Sequence, residues 1–213
     1  MQLVDMVLFS QRVDVIPSYR ERRDCIDQRL VSFLSECGYL PVALPNNEVL
    51  IPEYLRIISP KAIVLTGGNS LEKYGGNAPE RDKTDNFLIE YSINNDIPLI
   101  GICRGMQSIL DYFGEDLVNI TGHVAVRHSI RSNDGKNAFF NREVNSFHNQ
   151  GLYEVKNENL SVLAKSEDGV LKAIVHRNNP IMGIMWHPER ESSLSVLDVN
   201  LFRTFIEKRK IEI

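Results

Sequence analysis

The chain has 213 residues, 43% hydrophobic and 24% charged, the make-up of an ordinary soluble globular protein with enough length for one substantial core. A formal net charge of -4 and a pI near 5.8 argue against a general nucleic-acid binder or a protein drawn to anionic membranes. Three cysteines, Cys25, Cys37 and Cys103, form no CxxC pair and leave an odd count, which suits a reducing cytoplasm better than a disulfide framework.

The opening MQLVDMVLF lacks a basic stretch and carries Asp5 inside its apolar run, so it does not read as a secretory signal. No apolar run approaches the length of a membrane span. Residues 3–9 predict a short buried strand. A helix is predicted over 19–37, with Ile26, Leu30, Phe33, Leu34 and Cys37 at helical spacing and Gly38 as its stop. Cys25 and Cys37 then lie on or beside its apolar face, as packing residues. YLPVAL predicts a strand, 52–58 a short helix, and KAIVLTGG a strand ending in a glycine pair. A helix over 84–94, the buried strand IPLIGIC and a helix over 105–113 follow. Strands alternating with helices in this way indicate βαβ units and a parallel sheet covered on both faces.

Beyond about Gly122 the texture changes. VAVRHSI, FFNREVNSF, LSVLAKS, LKAIVH and IMGIMW are strand-like runs separated by polar turns, and a last amphipathic helix is predicted over 194–208. With no repeat or linker, residues 1–213 read as one α/β domain with a strand-rich second half. The five histidines show no HExxH spacing, and His123 and His128 have no carboxylate or thiol nearby in the sequence, so no metal site is expected.

Gly101-Ile102-Cys103-Arg104-Gly105 falls where a buried strand turns into a helix, at the carboxyl edge where open α/β sheets keep their sites. Glycines two before and two after relieve crowding in such a turn, as in the G-x-S-x-G elbow, and a helix N-terminus favours thiolate. Taken alone, the pattern fits a small core cysteine equally well. A nucleophile needs a base and the base an orienter. His187 and Glu189, on either side of Pro188, project together if the segment is extended. Attack on a carbonyl also creates an oxyanion. The pair Gly67-Gly68 ends an upstream strand, and an N–H of that pair with the Arg104 N–H would form the hole, although a glycine pair by itself more often just makes a turn.

These pieces, in this order, resemble the class I glutamine amidotransferase-like superfamily, and within it the γ-glutamyl hydrolase branch, peptidase family C26. The likeness runs through LTGG, PERDKTDNFLIE, GICRGMQ, VNSFHNQG, EDGVLKAI and GIMWHPE. It implies a flavodoxin-like, three-layer α/β fold around an open, mostly parallel sheet. It further implies Cys103 as nucleophile, His187 as base, Glu189 as orienter, and Gly68 and Arg104 as oxyanion donors. Gln107, Asn149 and Gly151 would hold the glutamyl end of a small-molecule substrate, with no metal or organic cofactor. Two stretches depart from common patterns of the branch: Asn69-Ser70-Leu71-Glu72 after the glycine pair, and the single histidine of His148-Asn149. The size and the PERD segment also resemble the bacterial hydrolases of γ-glutamyl-CDP-amidate, an enzyme type of capsular phosphoramidate synthesis.

Three functions remain open from the sequence: a stand-alone γ-glutamyl hydrolase, a glutaminase subunit feeding ammonia to a synthase partner, and a non-catalytic binding or stress protein on the same fold. The intact His187-Pro188-Glu189 segment counts against the third. Arg20, Arg22, Arg23 and Arg127 read either as solvated surface charges or as partners of a substrate phosphate. Tyr74, Arg81 and His123 are further candidates to line the leaving-group pocket.

Overall fold

Three apolar runs of the first half, β1 (Met6–Ser10), β5 (Ala62–Leu65) and β6 (Leu99–Ile102), lie side by side in the computed structural model, which describes residues 4–133, 135 and 137–211. With β4 (Leu40–Leu44) and β13 (Ile181–Ile184) they form the parallel part of a nine-stranded sheet. Its order continues through β12 (Leu171–His176), β11 (Leu160–Ser166), β8 (Val124–Ser132) and β9 (Arg142–Phe147), all antiparallel to their neighbours. The strand-rich second half thus extends the first half's sheet.

Period-2 alternation assigns the faces. Val7, Phe9, Ala62, Val64 and Ile102 pack against α1 (Gln28–Glu36) and α5 (Val196–Lys208). Leu8, Ile63, Leu65 and Leu99 pack against α2 (Ile51–Ile58), α3 (Pro79–Asn95) and α4 (Arg104–Tyr112). Because both faces are covered, the central strands β5, β6 and β13 are buried at every residue, which is why they read as continuous apolar runs. No helix among the described residues is long and apolar enough to cross a membrane.

The helix expected over 19–37 is corrected. Only its second half is helical; before it stands a hairpin of β2 (Arg12–Ile16) and β3 (Glu21–Cys25), which places Cys25 on a strand. Asp27 starts the helix, its carboxylate accepting the Arg29 N–H at 3.0 Å as an N-cap. Glu21, Arg22, Arg23 and Asp24 are exposed, and nothing in their own pattern marks a strand. They become one by pairing with β2. α3 is longer than expected because Pro79 occupies its first turn, where a missing N–H costs nothing and Glu80 and Asp82 suit the helix dipole.

Candidate active site

Cys103 is the single residue between β6 and α4, at φ 51° and ψ -101°, a left-handed conformation that side chains resist. The surroundings impose it. Its N–H donates to the Ile184 carbonyl at 2.7 Å, and its own carbonyl accepts from the Gln107 N–H at 3.1 Å. Both flanking glycines are sterically required. A Cβ on Gly101 would lie 2.5 Å from the Gly105 carbonyl carbon, and one on Gly105 would lie 2.2 Å from the Leu65 oxygen. The thiol therefore stands at the carboxyl edge of the sheet, at the N-terminus of α4.

On the neighbouring strand the chain runs from Ile184 through Met185 and Trp186 to His187. His187 is extended (φ -113°, ψ 92°), as Pro188 after it demands. The expected extended run stops there, because Pro188–Arg190 form a 3-10 turn. His187 and Glu189 meet nonetheless, Nδ1 lying 2.7 Å from Oε1, with both side chains buried. That pairing leaves the other ring nitrogen for Cys103. Gly67 makes room for the imidazole, since a Cβ there would lie 2.4 Å from His187 Cε1. Asn145 on β9 grips the backbone of His187 from both sides. Its Oδ1 accepts the His187 N–H at 2.9 Å, and its Nδ2 donates to the His187 carbonyl at 2.8 Å.

The electrostatics couple the two groups. Burial disfavours both charges, but each offsets that cost for the other. The imidazolium holds the Cys103 thiol below its ordinary pKa, and the Cys103 thiolate, helped by Glu189, holds His187 up at about 9.

Gly68 has φ 87°, and its turn is held from behind. The fully buried Arg81 guanidinium donates to the carbonyls of Thr66 at 2.5 Å, Gly67 at 3.1 Å, and Gly68. In a trans peptide, a Gly67 carbonyl turned towards Arg81 turns the Gly68 N–H away from Arg81, and Gly68 itself lines a cavity. Arg104 is fixed too, its buried guanidinium bound by Asp82, Asp85 and Ser108. The PERD segment therefore supplies the supports of both oxyanion-donor candidates.

A cavity of about 210 Å³ brings together Gly68, Cys103, Arg104, Gln107, Asn149 and His187. Gly151 does not line it. Gly151 pairs with Val118 beside the cavity, and a Cβ on it would meet Ile120 Cδ1 at 2.8 Å. Of the three leaving-group candidates none lines the cavity: Arg81 clamps the glycine turn, the Tyr74 hydroxyl accepts the Leu117 N–H, and His123 is buried elsewhere. Arg22, Arg23 and Arg127 pair with Glu80, Glu21 and Glu191 as exposed ion pairs, and Arg20 is exposed at the hairpin turn.

No local pattern points to Asn145, nor to a buried cluster behind Gln107. There Lys172 Nζ donates to Ser146 Oγ at 2.9 Å, His123 Nδ1 at 2.9 Å and His148 Nε2 at 2.8 Å. A charged Lys172 makes both imidazoles acceptors on that side. His123 then donates through Nε2 to Asp168 at 2.7 Å, and His148 through Nδ1 to the Gln150 carbonyl at 3.0 Å. The same carbonyl accepts from Gln107 Nε2 at 3.0 Å. Burial pulls Lys172 down to about 8; burial and the Lys172 cation pull His148 to about 3 and so keep it neutral. The cluster fixes Gln107 and sets a positive charge beneath the cavity floor. Among the described residues no His, Cys, Asp and Glu group is arranged to hold a metal ion.

The chain matches the sequence profile of the peptidase C26 family over residues 9–189. It is 32% identical to the γ-glutamyl-CDP-amidate hydrolase of Campylobacter jejuni, across 89% of this chain and 92% of that one. Identity with the γ-glutamyl-γ-aminobutyrate hydrolase of Escherichia coli O157:H7 is 30%, across 85% of each. Among solved structures, a glutamine amidotransferase of Thermotoga maritima shares the fold, with a TM-score of 0.64 at 18% identity over 99% of this chain and 87% of that one.

Proposed function

Because the chain belongs to the peptidase C26 family, we propose that it is a γ-glutamyl hydrolase that cleaves the amide bond of a small molecule through Cys103. The observation that carries this reading is the line Cys103, His187, Glu189 beside a glycine turn whose carbonyls are held away from the cavity. With the γ-carbonyl between Cys103 and the Gly68 and Arg104 N–H groups, the thiolate forms an S–C bond and the carbonyl electrons move onto oxygen. When the tetrahedral centre collapses, the C–N bond breaks, and the nitrogen leaves with the proton held by His187. A glutamyl thioester remains. His187 then takes a proton from water, hydroxide adds to the thioester carbon, and the thiolate is expelled with release of glutamate. Glu189 keeps the imidazole aligned throughout. Gln107 and Asn149 hold the glutamyl end, and the cation of Lys172 below them suits its α-carboxylate.

The leaving group we favour is a nucleotide-linked phosphoramidate, γ-glutamyl-CDP-amidate giving cytidine diphosphoramidate for capsular polysaccharide. It is supported by the likeness to the Campylobacter jejuni hydrolase along most of both chains. An enzyme working through an unoxidised thiolate fits the cytoplasm. The test is mass spectrometry of the products from glutamine, γ-glutamyl-γ-aminobutyrate and γ-glutamyl-CDP-amidate. Glutamate with cytidine diphosphoramidate is expected from the last, at the highest kcat/KM. Cys103→Ala should lower turnover by at least about 10³-fold with an unchanged melting curve. Turnover retained in that variant ends the thioester mechanism. Glutamine hydrolysed as efficiently as the nucleotide amide would instead favour an ammonia-supplying glutaminase.

A further inference from the structure

Most arginines near the cavity have terminal guanidinium nitrogens that are already hydrogen-bonded, even where, as in Arg81 and Arg104, a buried Nε has no partner. Arg104 is bound by Asp82 and Asp85, Arg81 by three carbonyls, Arg12 by Asp14 and Arg22 by Glu80. Arg190 is different. It lines the catalytic cavity and also a second one of about 270 Å³ on the far side of Glu189, so it stands in the wall between them. Its guanidinium donates no hydrogen bond to any described residue, and its Nε is buried without a partner. Glu189 Oε1 lies 3.8 Å from this Nε, beyond hydrogen-bond reach, and meets His187 Nδ1 at 2.7 Å, while Glu189 Oε2 has no hydrogen bond either. Its Cζ lies over the Phe147 ring, 4.9 Å from the centroid, a cation–π contact that holds the group beside the cavity and uses none of its N–H donors.

A guanidinium that lines a cavity, sits over an aromatic ring and donates to no described residue is set up to take an acceptor from a ligand. Proximity narrows the ligand. Arg190 is three residues from the general base, on the same turn, and its charge is one of those that favour thiolate at Cys103. The anion it meets must therefore sit close to the scissile nitrogen. A phosphoryl group bonded directly to that nitrogen meets this requirement, whereas an amine with a distant carboxylate does not. Such an anion would also repel the thiolate unless a cation stood beside it. We propose that Arg190 binds the phosphoryl group of the leaving half of the substrate and sets the preference for phosphoryl amides over neutral ones. The proposal rests on the hydrolase reading.

The test compares γ-glutamyl-CDP-amidate with γ-glutamylethylamide, whose leaving amine carries no anion, on the wild type, Arg190→Gln and Arg190→Lys. The ratio of the two kcat/KM values should fall at least tenfold in Arg190→Gln and recover in part in Arg190→Lys. A matching calorimetric titration with CDP should show affinity weakened at least tenfold by Arg190→Gln. A ratio that stays within threefold, or a wild type that turns over only the neutral amide, overturns the proposal. A wild type inert towards both amides would sink the hydrolase reading itself. The CDP titration then judges Arg190 separately, and equal affinity in the wild type and Arg190→Gln would overturn its assignment as a phosphoryl site.

Discussion

Cys103 and Cys37 are both buried, yet their surroundings drive them in opposite directions. Burial, with Asp198 and Glu36 adding to it against the opposing Arg203 cation, pushes the Cys37 thiol up to about 12. At Cys103 burial acts in the same sense, but the His187 cation outweighs it and the pKa falls. Since His187 stays protonated up to about pH 9, the thiolate–imidazolium pair exists below the pH at which a free thiol ionises. An ordinary thiol of pKa about 8.5 loses roughly 80-fold in thiolate between pH 8 and pH 6. Iodoacetamide labelling of Cys103 should fall less steeply than that over the same range, and His187→Ala should restore the steep fall. Peptide mapping that finds Cys37 labelled as fast as Cys103 would return Cys103 to a packing role.

Between β1 and α1 the chain inserts a hairpin, and that hairpin roofs the Gly67-Gly68 turn. Arg12 on β2 packs over Gly68, its Cδ only 3.2 Å from where a Cβ would be. Asn69 fastens the two together. Its Oδ1 accepts the Val13 N–H at 2.8 Å and its Nδ2 donates to the Val13 carbonyl at 2.9 Å, as a neighbouring strand would. Asn69 also sits at φ 57°, which asparagine tolerates better than most residues. Two substitutions separate these contributions. Asn69→Gly keeps the backbone comfortable and loses the bonds, at about 0.5–1.5 kcal/mol each. Asn69→Ala loses both and adds about 1 kcal/mol of backbone cost. Thermal melts should therefore rank wild type, then Asn69→Gly, then Asn69→Ala; equal midpoints would mean the hairpin is held by something else.

The site straddles the seam of the sheet. Cys103 follows the parallel strand β6, His187 follows β13 beside it, and Asn145 and Lys172 come from the antiparallel strands β9 and β12. Trp186, the single tryptophan, lies behind this seam. Its Nε1 donates to Asp198 Oδ1 of α5 at 2.9 Å, and Asp198 also binds Arg142 at the start of β9. If the two parts of the sheet unfold as one unit, Trp186 fluorescence and far-UV circular dichroism should give coincident denaturation curves. A second transition seen by only one probe would show that the antiparallel strands open independently.

Where a residue's role depends on its close neighbours in the chain, the sequence alone determined it. The buried parallel strands were legible because both their faces are apolar. The G-x-C-x-G turn was legible because only glycine fits at its flanks; the meeting of His187 and Glu189 was legible from their closeness in the chain, though a 3-10 turn and not the expected extended run brings it about. Roles set by partners far along the chain were decided only by the tertiary structure. The hairpin exists because Arg22 and Arg23 pair with strand β2, against a local pattern that reads as helix. Asn145 and His187 are 42 residues apart, and Lys172 meets His123 across 49. Arg190 is likewise placed by folding, which sets its guanidinium over Phe147 and in the cavity wall without a hydrogen bond to any described residue. Hydrogen bonds and screened charges act over a few ångströms, so folding alone decides which distant residues come within reach.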